Sequence, residues 1–369
     1  MKKSFLLITF IFIIPLIIMN CSKSNTIKIG IIGPFSGEGA TYGMSMKRGI
    51  DLAIKETNES GGVLGKTLVG IYEDDKLTPK DGINAITKLI NYDKVQAIIG
   101  SAASRVTLAI APFAEKSKVV LISPISTADT IKYSGDYIFR NVPPNNQQGI
   151  TAACFVYNDL NLKNSYVLFK NDDYGLSLAE SFIDEFRKID GEVIGSESYM
   201  IGTSNFRNQL NKIRRLNPDI VFFPGNYEES GIILKQAREL NIQSVFVGGD
   251  GSYSPELIRI AGKAAEGTYY TIMSLPQDTS SNYLKFLDKY QKEYNEKPDV
   301  YSVYSYDAAN VIFESIKKGN NYLGKSIKDT LYEIEYYGIT GKITFDKYGE
   351  VLKNYSIYTV RNGSFVCIK

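Results

Sequence analysis

The chain has 369 residues, 44% hydrophobic and 22% charged, with 42 Lys and Arg against 40 Asp and Glu. That length holds two ordinary domains or one large one with real cores, and the near-neutral balance argues against nucleic acid as a partner. Histidine is absent, which excludes Ser-His-Asp and Cys-His catalysis and HExxH zinc sites, while carboxylate or lysine chemistry stays possible.

Lys2 and Lys3 precede an apolar run from Phe5 to Met19, broken only by Thr9 and Pro15. A charged start followed by such a run predicts a signal peptide over residues 1–20; a spanning helix needs about 20 apolar residues. Those two lysines are the segment's only charges, so the remaining chain carries 40 of each sign. Cys21 stands directly after the run, and this placement resembles the lipobox of bacterial lipoproteins. The resemblance implies cleavage before Cys21, lipidation of Cys21 and a short tether over residues 21–26. Asn20 departs from the small residue usual before the cysteine; the alternative is a plain signal peptide or uncleaved anchor with Cys21 incidental. Each buried acyl methylene contributes about 0.8 kcal/mol to anchoring.

From Ile27 onward short apolar runs alternate with amphipathic stretches. Ile27–Ile32 predicts a strand ending at Gly33-Pro34, and Met46, Ile50, Ala53 and Ile54 recur at helical spacing. Gly61 and Gly62 stop that helix, Thr67–Tyr72 returns as a strand, and Ile83, Ile86, Leu89 and Ile90 mark the next helix. Strands at Ala97–Ile99 and Val119–Ile122 complete a series of right-handed βαβ units. Pro143 and Pro144 break the pattern and predict an interdomain crossing. A second series follows, with strands at Tyr166–Phe169, Ile220–Phe223 and Val245–Val247 and helix faces at Phe182/Phe186, Phe206/Leu210/Ile213 and Leu234/Ala237. A second crossing is expected near Thr271–Pro276. Tyr283, Leu287, Tyr290 and Tyr294 form a helical stripe of core type, and Gly341–Asp346 and Tyr355–Val360 predict strands. Two such lobes would bind a ligand between their strand ends.

The residues after the strands carry the candidate chemistry. Ser60–Thr67 nearly spells a P-loop, but it runs from helix to strand, the reverse of what phosphate binding needs; a glycine-rich helix stop is the reading. Glu73-Asp74-Asp75 has no EF-hand spacing and predicts a turn or cap. Gly100–Ser104 and Ser123–Thr127 each end a strand with hydroxyls, and together they suggest a carboxylate pocket, although each alone could be an N-cap or turn. Gly248–Gly251 frames Asp250, which could neutralise a cation or form an Asx-turn.

In combination these stretches, with Ile29–Gly37, Ala40–Gly43, Gly61–Gly65, Pro79, Asp173–Gly175, Gln236–Arg238, Ala264–Gly267 and Tyr306–Ala308, resemble the bacterial leucine/isoleucine/valine-binding protein family. These are type I periplasmic binding proteins of ABC importers, and the resemblance runs from Ile27 to Phe345. It implies an α/β protein of two doubly wound parallel-sheet lobes joined by a three-crossing hinge: residues 27–143 plus 276–345, and 144–275 plus 346–369. The hinge is expected at Pro143-Pro144, near Thr271–Pro276 and near Phe345-Asp346.

The family's ligand roles map residue by residue. By resemblance, Ser104 and Thr127 hold an α-carboxylate with help from the backbone near Ile125, and Asp250 receives the α-ammonium. Tyr174 meets the ligand on closure, and Tyr42, Tyr301 and Asn226 wall its side chain. Lys76 and Ala103 stand where the family has a disulfide, Asn226 where it has tyrosine, and Ala102 and Ala103 are smaller than its usual wall residues. Cys154 and Cys367 are expected as free thiols. The implied function is an exported, lipid-anchored monomer, periplasmic or at the cell surface, that binds an amino acid, of branched-chain type, and serves an ABC permease. No metal, cofactor or catalysis is expected; the alternatives are a receptor or sensor for an amide, urea or another small polar solute, and a carboxylate hydrolase.

Overall fold

The computed structural model describes residues 25–275 and 281–369; the expected signal peptide, Cys21, most of the tether and Pro276 lie outside them. The first lobe begins with β1 (Thr26–Gly33), α1 (Ala40–Glu59), β2 (Thr67–Asp74), α2 (Pro79–Lys88), β3 (Ala97–Ile99), α3 (Ser104–Ser117), β4 (Val120–Ser123) and β5 (Ile138–Arg140). Its five strands are parallel in the order β2-β1-β3-β4-β5. β1 buries Ile27, Ile29, Ile31 and Ile32, the near-continuous apolar pattern of a strand covered on both faces. Thr78 starts α2 by accepting the amide of Asp81 at 3.1 Å, with Pro79 in the first turn.

The second lobe follows with α4 (Asn145–Cys154), β6 (Asn164–Lys170), α5 (Asp173–Lys188), β7 (Glu192–Tyr199), α6 (Arg207–Leu216), β8 (Ile220–Phe222), α7 (Tyr227–Glu239), β9 (Val245–Gly248), α8 (Pro255–Ala261) and β10 (Tyr269–Met273). The chain returns to the first lobe for α9 (Ser281–Tyr294), α10 (Val300–Lys318), α11 (Gly324–Glu333) and a hairpin of β11 (Tyr336–Gly338) and β12 (Gly341–Ile343). It ends in the second sheet as β13 (Tyr355–Arg361) and β14 (Ser364–Cys367). That sheet is ordered β14-β13-β10-β9-β8-β6-β7, parallel except for its last two strands in sequence.

The two doubly wound lobes are thus joined between β5 and α4, between β10 and α9, and between β12 and β13. The crossings are tied together: the hydroxyl of Tyr355 donates to the carbonyl of Pro143 at 2.8 Å, and that of Tyr304 to Ser274 at 2.9 Å. The second crossing starts later than expected. Thr271 is fully buried within β10, between the parallel β9 and the antiparallel β13, a pairing that a local reading of Thr271–Pro276 could not see. The strand expected over Gly341–Asp346 stops at Ile343, where the hairpin partner ends. Ser60–Thr67 is the helix stop it was read to be, closed by a bridge between Val63 and Lys66.

One glycine sets the geometry of the first lobe's rear wall. A Cβ on Gly49 would lie 2.1 Å from the carbonyl oxygen of Ser302, so its absence lets α10 pack directly on α1. This contact brings Tyr42 and Tyr301 edge to face, with ring centroids 5.2 Å apart.

Candidate functional site

A cavity lies between the lobes. All eight residues singled out as ligand contacts line it: Tyr42, Ser104, Ile125, Thr127 and Tyr301 from the first lobe, and Tyr174, Asn226 and Asp250 from the second. Most follow the carboxyl ends of parallel strands, the place where open α/β sheets bind ligands.

The first lobe contributes hydroxyls. Ser104 is the first residue of α3, preceded by Ala103, which has no side chain to cap the helix. The Ser104 Oγ accepts the amide of Ala128 at 3.1 Å, which leaves its own proton to donate. The Oγ1 of Thr127 is buried and bonds no other protein group, which leaves it to donate to a ligand. Behind both loops runs a buried network. Ser123 and Ser126 donate to the carbonyl of Ser101 at 2.7 and 2.9 Å, and Ser101 donates to Asp75. Asp75, from the acidic triplet, also accepts the amide of Leu77 at 2.8 Å; burial pushes its carboxyl up to about 6. Asp74 accepts the amides of Phe35 and Lys76. These acids tie loops, as turn residues do.

The second lobe contributes the acid. Asp250 is 2% exposed, and burial raises its carboxyl to about 6 against the opposing hydrogen bonds of Gln148 and Tyr174. Three tyrosines hold its loop. Tyr174 donates to the Asp250 Oδ1 at 2.9 Å and accepts the amide of Gly251 at 3.0 Å. Tyr42 donates to the carbonyl of Gly251, and Tyr301 to that of Asp250 at 2.5 Å. Burial keeps all three phenols far above their ordinary pKa and therefore protonated. Tyr174, expected to meet the ligand, thus has its hydroxyl committed to Asp250, and the tyrosines offer the cavity their rings.

Leu77, Ala102, Ala103, Arg105, Asp172 and Gly251 complete the lining. Arg105 and Asp172 escaped the sequence reading although they flank singled-out residues: Arg105 follows Ser104, and Asp172 precedes Tyr174 by two positions. The only available signal was a charge beside each loop. Cys154 and Cys367 are free thiols, half-buried and exposed respectively.

Comparison with known proteins agrees with this geometry. Residues 26–364 match the family model described as periplasmic binding protein. The chain is similar to the leucine-, isoleucine-, valine-, threonine- and alanine-binding protein of Pseudomonas aeruginosa, 29% identical over 334 residues, covering 90% of this chain and 88% of that one. Among solved structures it superposes on a leucine-binding protein from Thermotoga maritima with a TM-score of 0.88, at 30% identity over 93% of this chain and 98% of the other. A branched-chain amino acid substrate-binding protein from Streptococcus pneumoniae, in complex with isoleucine, gives a TM-score of 0.86 and 32% identity, covering 92% of this chain and 97% of the other.

Proposed function

This chain belongs to the periplasmic binding protein family, beside the leucine/isoleucine/valine-binding proteins, and from that premise we propose that it captures an α-amino acid between its lobes and delivers it to an ABC importer. One observation carries the reading: the cavity joins an unpartnered buried hydroxyl on one lobe, Thr127, to a buried carboxyl on the other, Asp250. A zwitterion supplies the complement of both. Its carboxylate takes the hydroxyls of Ser104 and Thr127 at the start of α3, where the helix dipole favours negative charge. Its ammonium takes Asp250, and each end exchanges water for charge-assisted hydrogen bonds. Relatives named for binding leucine, isoleucine, valine, threonine and alanine, or seen in complex with isoleucine, support the same class.

Because the ligand bonds both lobes, it favours the closed arrangement, and the closed form is what a permease would recognise. The lobes divide as 27–143 plus 276–345 and 144–275 plus 346–369. The protein binds without chemical turnover. The apolar run after Lys2 and Lys3, ending before Cys21, supports export and lipid anchoring at Cys21.

The test is a thermal-shift screen against the twenty amino acids, urea and short amides, after unfolding and refolding to strip co-purified ligand. A ligand that binds only the folded state raises the melting temperature by mass action. A shift confined to a few amino acids is expected. A response to urea or amides alone would make this a receptor for neutral solutes, and a flat screen would sink the proposal.

A further inference from the structure

We propose that Asn226 selects the ligand's side chain, and that the preferred amino acid carries an uncharged polar side chain, a hydroxyl or an amide, in place of a plain aliphatic one. The inference rests on the amino-acid reading above and follows from what the cavity's polar groups have left to offer once the α-groups are bound.

The tyrosine hydroxyls are spent on the Asp250 loop. Ser104 and Thr127 are taken by the carboxylate, and Asp250 by the ammonium. Arg105 and Asp172 neutralise one another, with Nη1 to Oδ2 at 2.6 Å, so no unpaired charge remains to receive an ionised side chain. What remains is the amide of Asn226.

Asn226 is the N-cap of α7, a position where asparagine normally accepts an amide hydrogen of the first turn. Here it makes no such bond. Its side chain is half-buried, makes no hydrogen bond, and lines the cavity. A capping residue that forgoes its cap leaves a donor and an acceptor unengaged at the binding surface. Ala102 and Ala103 contribute only methyl groups to the same cavity. An aliphatic ligand side chain there would strip water from the amide and return no hydrogen bond, whereas a polar one would replace that water. Sites built around a hydrogen bond discriminate against analogues that lack it far more strongly than apolar sites discriminate by shape.

The experiment compares near-isosteric ligands by titration calorimetry on the refolded full chain: threonine against valine, and asparagine against leucine. In the unaltered protein the polar member of at least one pair is expected to bind tenfold or more tightly than its partner. Asn226→Leu removes no capping bond and should shift that ratio at least tenfold toward the aliphatic member. Valine and leucine binding as tightly as threonine and asparagine would overturn the inference without recourse to any variant, and so would a ratio unmoved by Asn226→Leu. Failure of every amino acid to bind would instead overturn the amino-acid reading itself, and this inference with it.

Discussion

The guanidinium of Arg105, on α3 of the first lobe, meets the carboxylate of Asp172, at the start of α5 in the second, at 2.6 Å; their side chains are only 12% and 6% exposed. Arg105 is held from behind by the carbonyl of Leu77, and Asp172 caps its own helix by accepting the amide of Gly175. The pair therefore joins the two lobes at the cavity wall, immediately beside Ser104 and two residues from Tyr174.

Such a pair depends on the approach of the two lobes. In an open form each charge returns to water, so removing one partner penalises the closed form, where the other would stay buried alone. Asp172→Asn keeps a capping oxygen and removes the charge. It is expected to weaken ligand binding roughly ten- to hundredfold, with little change in the melting temperature of the empty protein. Arg105→Ala should act alike, and the double variant should lose no more than either single one. Additive losses would show that the two residues act independently.

Asp250 makes binding depend on pH with a defined sign. With the lobes closed, burial raises its carboxyl to about 6, and a bound ammonium favours the ionised form and pulls that value down. Binding must then expel a proton wherever Asp250 holds one. Affinity should stay flat above about pH 7 and fall by up to about tenfold per unit below about pH 6. The same group acts oppositely on the stability of the closed fold. Its pKa lies above the unfolded value of about 3.9, so its contribution to stability decreases as pH rises from about 4 to about 6. Dissociation constants measured between pH 5 and 8 check the first sign. Asp250→Asn should flatten the profile and weaken binding about a hundredfold or more; a flat profile in the unaltered protein would point to a neutral ligand.

Much of this site could be read from the chain because each loop follows a strand with its own local signature. Gly248–Gly251 announces a close backbone approach around one acid, and Ser123–Thr127 follows an apolar run. The tyrosines were visible as residues but not as a set: Tyr42 and Tyr174 lie far apart in sequence and meet at Gly251 only because the lobes close. The Arg105–Asp172 pair was hidden for the same reason, since single charges beside loops are commonplace. In the fold, the strand Tyr269–Met273 overlaps the start of the crossing expected near Thr271–Pro276, because part of the pairing that makes it a strand comes from β13, far later in the chain. Tertiary pairing overrides local appearance in such strands.

A buried ion pair also underlies the second lobe. Lys170, at the end of β6, meets Glu229 on α7 at 2.5 Å, with side chains 1% and 8% exposed. Glu229→Gln would leave the ammonium of Lys170 without its counter-charge in the interior. The expected cost is about 3–5 kcal/mol of stability, read as a lower denaturant midpoint at unchanged slope. Replacing both residues, as in Lys170→Met with Glu229→Leu, should cost less than Glu229→Gln alone, because no charge is then stranded. Equal costs would mean that packing, not charge, sets the stability of this contact.

Thr127 separates binding from folding most cleanly. Its hydroxyl is buried and bonds no other protein group, so removing it breaks no hydrogen bond within the fold. Thr127→Val keeps the shape and removes the hydroxyl. Without ligand, the variant should melt no lower than the parent protein. Its affinity should fall roughly ten- to hundredfold, the worth of a hydrogen bond to a charged carboxylate. Affinity and stability are thus read apart. A variant that loses stability and keeps its affinity would show that the Thr127 hydroxyl serves the fold, and would leave Ser104 as the hydroxyl that receives the carboxylate.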